Sequence, residues 1–123
     1  MTIIEAINKI DSLKPNSYSQ DEKVAWLSKL DGIIKEKVID THEGGEDIFF
    51  KGYNEDTNPA TELLVPFPYD DMYVRWLEAQ VDYANGEVGK YNNSITMYNA
   101  AYTEYANYYN RQHMAKGHKL KYF

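Results

Sequence analysis

Cysteine is absent from this chain of 123 residues. Its absence excludes disulfide bonds, thiol nucleophiles and cysteine-ligated zinc, and permits an intracellular protein. The first residues lack the basic region and apolar run of a secretion signal, and no stretch approaches the roughly 18 apolar residues of a membrane span. We therefore expect a cytosolic, soluble protein of one domain, held together by side-chain packing.

Motifs for catalysis and metal binding are also missing. The histidines show no His-x-x-x-His or Glu-x-x-His spacing, and no glycine loop is followed by the lysine and hydroxyl that bind phosphate. Three acids, Asp71, Glu78 and Asp82, share a predicted helix face with Arg75, and we interpret them as a solvated, salt-bridged face rather than as paired catalytic acids. The sequence therefore predicts no enzyme, no metal site and no cofactor.

The charge of the chain is polarised around a net value of −6. Residues 41–62 contain six acidic side chains and one lysine, whereas residues 111–123 contain four basic side chains and no acidic one. Two interpretations are open. Either these are solvated faces, or the acidic loop of one subunit meets the basic tail of the next subunit in a ring.

Helical periodicity and end signals predict four principal helices. Thr2 and Glu5 form a capping-box pattern before a helix over residues 3–13, which Pro15 ends. A second box, Ser19 and Glu22, opens a helix over 20–40, in which Gly32 marks a bend. The third helix is predicted to begin at Pro68, with acids in its first turn and an apolar face that includes Trp76 and Tyr83. The fourth covers about 88–112.

The predicted class is thus all-α, with four principal helices and a long irregular loop between the second and third. Residues 1–113 form the helical domain and residues 114–123 a basic C-terminal tail. The loop, residues 41–68, is unusually long for a compact domain, which suggests a functional role. Its apolar run, Ile48, Phe49 and Phe50, is either a strand that pairs with another subunit or a plug over the helices.

Tyrosines repeat every three or four residues along the fourth predicted helix, at Tyr98, Tyr102, Tyr105 and Tyr109. Such a stripe is either an aromatic core or a half-wet protein interface. Stacking on nucleic-acid bases is disfavoured, because the stripe has no basic groove around it. The tail adds three apolar residues among its lysines, so it is either a disordered tail or an interface element. The predicted interface residues are Ile48, Phe49, Phe50, Tyr98, Tyr102, Tyr105, Tyr109, Leu120, Tyr122 and Phe123.

Most of the chain resembles a known group of small proteins. The resemblance is carried by LLVPxPYDDMY at residues 63–73, LEAQVDYANGE at 77–87 and KYNNS at 90–94, and it extends through residues 105–113 and back to residues 2–4. These motifs are similar to those of small proteins encoded by tailed phages and prophages of Gram-positive bacteria, of the head-to-tail connector, or adaptor, class. The resemblance implies a helical protein that forms a ring beneath the portal of the capsid and carries DNA between head and tail. It transfers no catalytic residue.

We therefore expect a structural phage protein in the virion, present in the host cytoplasm during assembly. Its expected partners are further copies of itself and portal or tail proteins, with DNA passing through the ring without sequence-specific binding, and no membrane. The alternative is a small prophage accessory or regulatory protein that binds another protein as a monomer or dimer. An enzyme is a third alternative, for which the sequence offers no residues.

Overall fold

A computed structural model describes residues 1–116 as a bundle of four α-helices. They are α1 at Ile3–Leu13, α2 at Gln20–Ile34, α3 at Met72–Ala84 and α4 at Val88–Gln112. A π-helical turn, Lys35–Ile39, prolongs α2, and a 3-10 turn, Gly45–Asp47, lies in the loop that follows. No β-strand occurs within residues 1–116, so the predicted all-α class, with its long loop between the second and third helices, is confirmed.

The helix ends follow the local signals in the sequence. At α1 the Thr2 hydroxyl accepts a hydrogen bond from the Glu5 amide at 3.2 Å, and the Glu5 carboxylate accepts one from the Thr2 amide at 2.9 Å. At α2 the Ser19 hydroxyl accepts from the Glu22 amide at 3.1 Å. These bonds satisfy amide groups that the first turn of a helix leaves unpaired. The predicted ends of the first and fourth helices agree with the structure.

The third helix starts later than predicted. The Pro66 carbonyl first closes a turn by accepting from the Tyr69 amide at 2.9 Å, and the helix begins only at Met72. Asp70 lies before the helix, and its carboxylate is 3.3 Å from the amino group of Met1. Pro68 therefore belongs to the loop, and the prediction that it opens α3 is wrong.

The long loop is tied to the start of α1. The amides of Ile3 and Ile4 donate to the carbonyls of Thr61 and Pro59 at 3.0 and 2.9 Å, and the Leu63 amide donates to the Met1 carbonyl at 3.0 Å. The loop carbonyls thus bind two amides that the first turn of α1 cannot satisfy by itself. This pairing fixes the path of the second half of the loop.

A buried carboxylate fixes the loop to the helices. Asp31 on α2 is fully buried and accepts three hydrogen bonds, from the Tyr53 hydroxyl at 2.6 Å, the Tyr73 hydroxyl at 2.6 Å and the Leu64 amide at 3.1 Å. The Tyr73 hydroxyl in turn accepts from the Val65 amide at 2.7 Å. We call these five residues the Asp31 network. It joins α2, α3 and both halves of the loop at one point in the core.

Burial changes the acidity of the groups in this network. Desolvation raises the pKa of Asp31, although the hydrogen bonds from Tyr53, Tyr73 and Leu64 act in the opposite direction. Burial and the adjacent Asp31 charge also raise the pKa of the Tyr53 and Tyr73 phenols. Both phenols therefore keep the protons that they donate to the carboxylate.

A second buried acid corrects the prediction of a solvated acidic face on α3. Asp82 is 1% exposed, and its carboxylate lies 2.5 Å from Lys14 Nζ at the end of α1. Its other oxygen accepts from the Ser94 hydroxyl of α4 at 2.5 Å. Asp82 therefore joins three helices, while the solvated interpretation holds for Arg75 and Glu78, which form an ion pair at 3.8 Å.

Removing the carboxylate of the Asp31 network should destabilise the fold strongly. In Asp31→Ala, two phenol hydroxyls and one amide lose their acceptor inside the core, so we expect the free energy of unfolding to fall by about 3 kcal/mol. The measurement is urea unfolding followed by circular dichroism. The control is Glu36→Ala, which removes an exposed acid of the following turn and should change stability by less than about 0.5 kcal/mol. Equal effects of the two substitutions would contradict this role of Asp31.

The raised pKa of Asp31 predicts an unusual pH dependence. Because the folded state binds the Asp31 proton more tightly than the unfolded chain does, the additional stability that comes from binding this proton is fully present below the unfolded pKa of about 4 and is lost as the pH rises through the folded pKa, while the hydrogen bonds to the carboxylate remain. The free energy of unfolding of the wild type, minus that of Asp31→Asn, should therefore decrease from about pH 4 towards neutral pH. Urea unfolding of both proteins at several pH values measures this difference, and an increase would show that the pKa is lowered instead.

Candidate protein-interaction site

The tyrosines predicted to form an interface lie on α4, and three of them are buried within the chain. Tyr98, Tyr105 and Tyr109 pack into the core, while Tyr102 is half-buried. The ring centroid of Tyr98 lies 5.0 Å from that of Trp76 on α3. Burial raises the pKa of the Tyr98 and Tyr105 phenols. These three side chains form an aromatic core, and their part in an interface with another chain stays a prediction.

The three residues of the apolar run in the loop, Ile48, Phe49 and Phe50, lie in three different environments. The Ile48 amide closes the 3-10 turn by donating to the Gly45 carbonyl at 3.0 Å, and residues 48–51 pair with no other segment of the described chain, so their pairing with another subunit stays a prediction. Phe50 is half-buried, with its ring centroid 5.0 Å from that of Tyr53. Phe49 is 82% exposed. The plug alternative thus holds for Phe50 alone.

A small apolar groove lies where the end of α2, the loop and α4 meet. It has a volume of about 160 Å³, and its lining includes Ile39, Ile48, Leu64, Pro66, Tyr108 and His113. The Tyr108 ring is held by Tyr69, at 4.6 Å between ring centroids. We call this the loop–α4 groove. It brings Ile48 together with the buried tyrosines Tyr105 and Tyr109, which also line it.

Two exposed phenylalanines are adjacent in sequence to residues that line the loop–α4 groove. Phe49 follows the lining residue Ile48, and Phe67 follows the lining residue Pro66. Their side chains are 82% and 85% exposed. Phenylalanines that remain in water next to an apolar groove are typical of a protein-interaction surface. Phe49 was predicted as an interface residue, whereas the exposure of Phe67 was not predicted.

A buried histidine, His42, links the start of the long loop to the end of α4. His42 Nδ1 donates to the Val38 carbonyl at 2.6 Å, and Nε2 lies 2.6 Å from Asn110 Oδ1 on α4. The edge of the imidazole meets the Tyr109 ring, whose centroid is 4.9 Å away, and Tyr109 stacks on His113 at 3.9 Å. His42 therefore links the chain after α2 to the last turn of α4.

The chain beyond α4 pairs with the start of the loop. The Glu43 amide donates to the Met114 carbonyl at 2.8 Å, and the Lys116 amide donates to the Thr41 carbonyl at 3.0 Å, around an antiparallel bridge between His42 and Ala115. Lys116 Nζ also lies 4.0 Å from the Glu46 carboxylate. The first three residues of the predicted tail are thus bound to their own chain. The other predicted interface residues of the tail, Leu120, Tyr122 and Phe123, lie outside the described residues.

A second exposed apolar surface lies at the turn between α3 and α4. Tyr83 and Val88 are each 70% exposed, and the Tyr83 ring meets the Tyr91 ring edge-on at 5.4 Å. Periodicity had placed Tyr83 on the apolar face of the third helix, but α3 ends one residue later and the ring points away from the core. This surface lies at the opposite end of α4 from the loop–α4 groove.

Residues 1–116 show neither a metal-binding cluster nor a membrane-spanning helix. Residues 1–116 contain no group of three or more acidic or histidine side chains that could hold a metal ion. Among the same residues, no helix combines the length and the apolar character needed to cross a membrane. Comparisons with protein families, curated proteins and solved structures find no match for this chain.

The His42 link predicts a local effect of Asn110. In Asn110→Ala, the imidazole Nε2 loses its partner on α4, so the pairing of residues 41–43 with residues 114–116 should open more often. We expect hydrogen exchange at the Glu43 and Lys116 amides to become about tenfold faster, the equivalent of one weakened hydrogen bond. Asn107→Ala, an exposed change on the same helix, is the control. Unchanged exchange in the Asn110 variant would show that His42 does not hold this pairing.

Proposed function

We propose that this chain is a structural protein of a tailed phage or prophage, a head-to-tail connector subunit that assembles as a ring in the virion neck. The resemblance carried by residues 63–73, 77–87 and 90–94 supports this proposal, as do the small all-α fold and the exposed loop between α2 and α3. The structural observation that supports it most strongly is the exposure of the Phe49 and Phe67 side chains.

Burial of these two side chains would contribute substantially to assembly. Phe49 and Phe67 are 82% and 85% exposed in the single chain, although its core is well packed. Transfer of one phenylalanine side chain from water to an apolar contact contributes about 2 kcal/mol. Two such anchors, each next in sequence to a residue that lines an apolar groove, suit a contact that each subunit makes with its neighbour, as ring assembly requires.

The buried polar groups support a structural rather than a catalytic role. Asp31 holds loop and helices together, Asp82 joins α1 to α4 through Lys14 and Ser94, and His42 links the loop to α4. Each of these groups is occupied by partners from its own chain and takes part in packing. We therefore assign the chain no reaction, no metal and no cofactor.

The proposed partners are further copies of the chain and a portal or tail protein, in the virion and, during assembly, in the host cytoplasm. DNA would pass through the ring without sequence-specific contact, which suits the net charge of −6. The alternative, a prophage accessory protein that binds a partner as a monomer or dimer, would use the same exposed phenylalanines. Sedimentation of the chain alone and together with its portal distinguishes the two, because only the connector should form large closed species in either sample.

Immunoelectron microscopy of particles made by the host that encodes the chain tests the connector role. Antibody against the chain should label the head–tail junction, and Phe49→Ser combined with Phe67→Ser should abolish this labelling because both apolar anchors become polar. Leu13→Ser is the matched control, since it changes a side chain that is 60% exposed on α1, and its labelling should be unchanged. Particles that lack the wild-type chain while the lysate contains it would overturn the proposal.

A further inference from the structure

We propose that Asn85 is a site of self-modification: it deamidates by reacting with the backbone nitrogen of Gly86, and the Tyr18 hydroxyl restrains this reaction in the folded chain. The inference concerns the turn between α3 and α4 and does not depend on the phage role. Its basis is the Asn-Gly sequence, the exposure of both residues and the hydrogen bonds that fix the turn.

The sequence at this turn favours reaction of an asparagine side chain with its own backbone. Asn85 is followed by Gly86, and no other asparagine in the chain precedes a glycine. Glycine has no Cβ that would shield its nitrogen from the neighbouring side chain, and its backbone reaches conformations that are closed to other residues. Both residues are exposed, so water has access to the site.

The reaction joins two groups of adjacent residues and needs only water. The Gly86 nitrogen gives its proton to the solvent and attacks Asn85 Cγ, so that an N–Cγ bond forms. The Cγ–Nδ2 bond breaks, and Nδ2 takes up a proton and leaves as ammonia, which produces a five-membered cyclic imide. Water then opens the ring. Cleavage of the new N–Cγ bond gives aspartate, whereas cleavage of the original bond between Asn85 and Gly86 gives isoaspartate.

The folded turn keeps the two reacting groups apart. Gly86 has a φ of 73°, its amide donates to the Tyr83 carbonyl at 3.0 Å, and the Glu87 amide donates to the Asp82 carbonyl at 3.0 Å. Such a pair of bonds commonly closes the C-terminus of a helix. Asn85 has a ψ of −9°, which places the Gly86 nitrogen beside the backbone nitrogen of Asn85 and away from its Cβ. The ring can therefore close only after the peptide plane has rotated and both hydrogen bonds have opened.

Tyr18 adds a restraint from another part of the chain. Its hydroxyl donates to Asn85 Oδ1 at 2.6 Å, and its ring meets the Trp26 ring edge-on, with 5.6 Å between the centroids. Tyr18 lies between α1 and α2, so this bond ties the Asn85 side chain to a residue 67 positions away. The Cγ atom that carries Oδ1 must move towards the Gly86 nitrogen, so this hydrogen bond has to break as well. Loss of the hydroxyl should therefore make the reactive conformation more frequent.

Deamidation would weaken the turn. Asn85 Nδ2 lies 3.5 Å from Glu87 Oε1, so a carboxylate in its place would put two negative charges side by side. The new charge would also lie at the C-terminus of α3, where the helix dipole disfavours it. Isoaspartate would in addition lengthen the backbone within the turn by one carbon. The connection between α3 and α4 therefore has a limited chemical lifetime, which Tyr18 prolongs.

Ageing of the folded wild type and of Tyr18→Phe tests the proposal. Both proteins are kept at neutral pH and physiological temperature, and mass spectrometry follows the tryptic peptide of residues 76–90 after separation of its aspartate and isoaspartate forms. Tyr18→Phe keeps the ring against Trp26 and removes only the hydroxyl. We expect this variant to deamidate about tenfold faster than the wild type, the equivalent of one hydrogen bond. The control is Tyr108→Phe, a half-buried tyrosine near the other end of α4, which should leave the rate unchanged.

The same measurement in guanidinium chloride separates the site from its restraint. In the unfolded chain, the wild type and Tyr18→Phe should deamidate at one shared rate, faster than either folded protein, because the turn and the Tyr18 bond are absent. Asn85 that stays intact in the unfolded chain would overturn the assignment of the site. Equal rates in the two folded proteins, or a difference that persists after unfolding, would overturn the role of Tyr18.

Hydrogen exchange at the Leu30 amide on α2 provides the control for general loss of stability, because a core amide exchanges through global unfolding. In Tyr18→Phe we expect this exchange to accelerate much less than deamidation does. Equal acceleration of the two would mean that global unfolding exposes Asn85 to reaction, and would contradict a local restraint by Tyr18.

Discussion

Asp31, a carboxylate without access to water, holds the long loop of this chain in place. It accepts hydrogen bonds from Tyr73 on α3 and from Tyr53 and the Leu64 amide in the loop. A buried charge that lost these donors would cost several kcal/mol, so neither half of the loop can leave the helices without a large loss of stability. The loop–α4 groove and the exposure of Phe49 and Phe67 both depend on this anchoring, because the loop supplies one wall of the groove and both phenylalanines.

Local signals explain why so much of the helical fold could be predicted. Caps at Thr2 and Ser19 and the stop at Pro15 act within a few residues, and the structure uses them as the sequence indicates. The Asp31 network was not predicted, although one signal was present: Asp31 lies four residues after Leu27, on the apolar stripe of α2. Its phenol donors are 22 and 42 residues away, and no local pattern announces such a contact.

The candidate site was predicted less well, because the burial or exposure of each side chain there depends on contacts with residues that are distant in the sequence. Periodicity identified the face of α4 that holds Tyr98 and Tyr105, but not that α3 and Tyr69 cover this face within the same chain. Ile48 and Phe49 are neighbours in one apolar run, yet a closing turn directs the first to the groove and the second to solvent. The contact between His42 and Asn110 joins residues 68 positions apart.

Native-state hydrogen exchange at the Leu64 and Val65 amides tests most directly whether the Asp31 network anchors the loop. Both amides belong to the loop, but they donate to Asp31 and to the Tyr73 hydroxyl. If the network holds the loop as firmly as the helices hold each other, these amides should exchange only through global unfolding, with the same free energy as core amides such as that of Leu30 on α2. Exchange at a much lower free energy, insensitive to small amounts of urea, would mean that the loop opens by itself and would contradict the account.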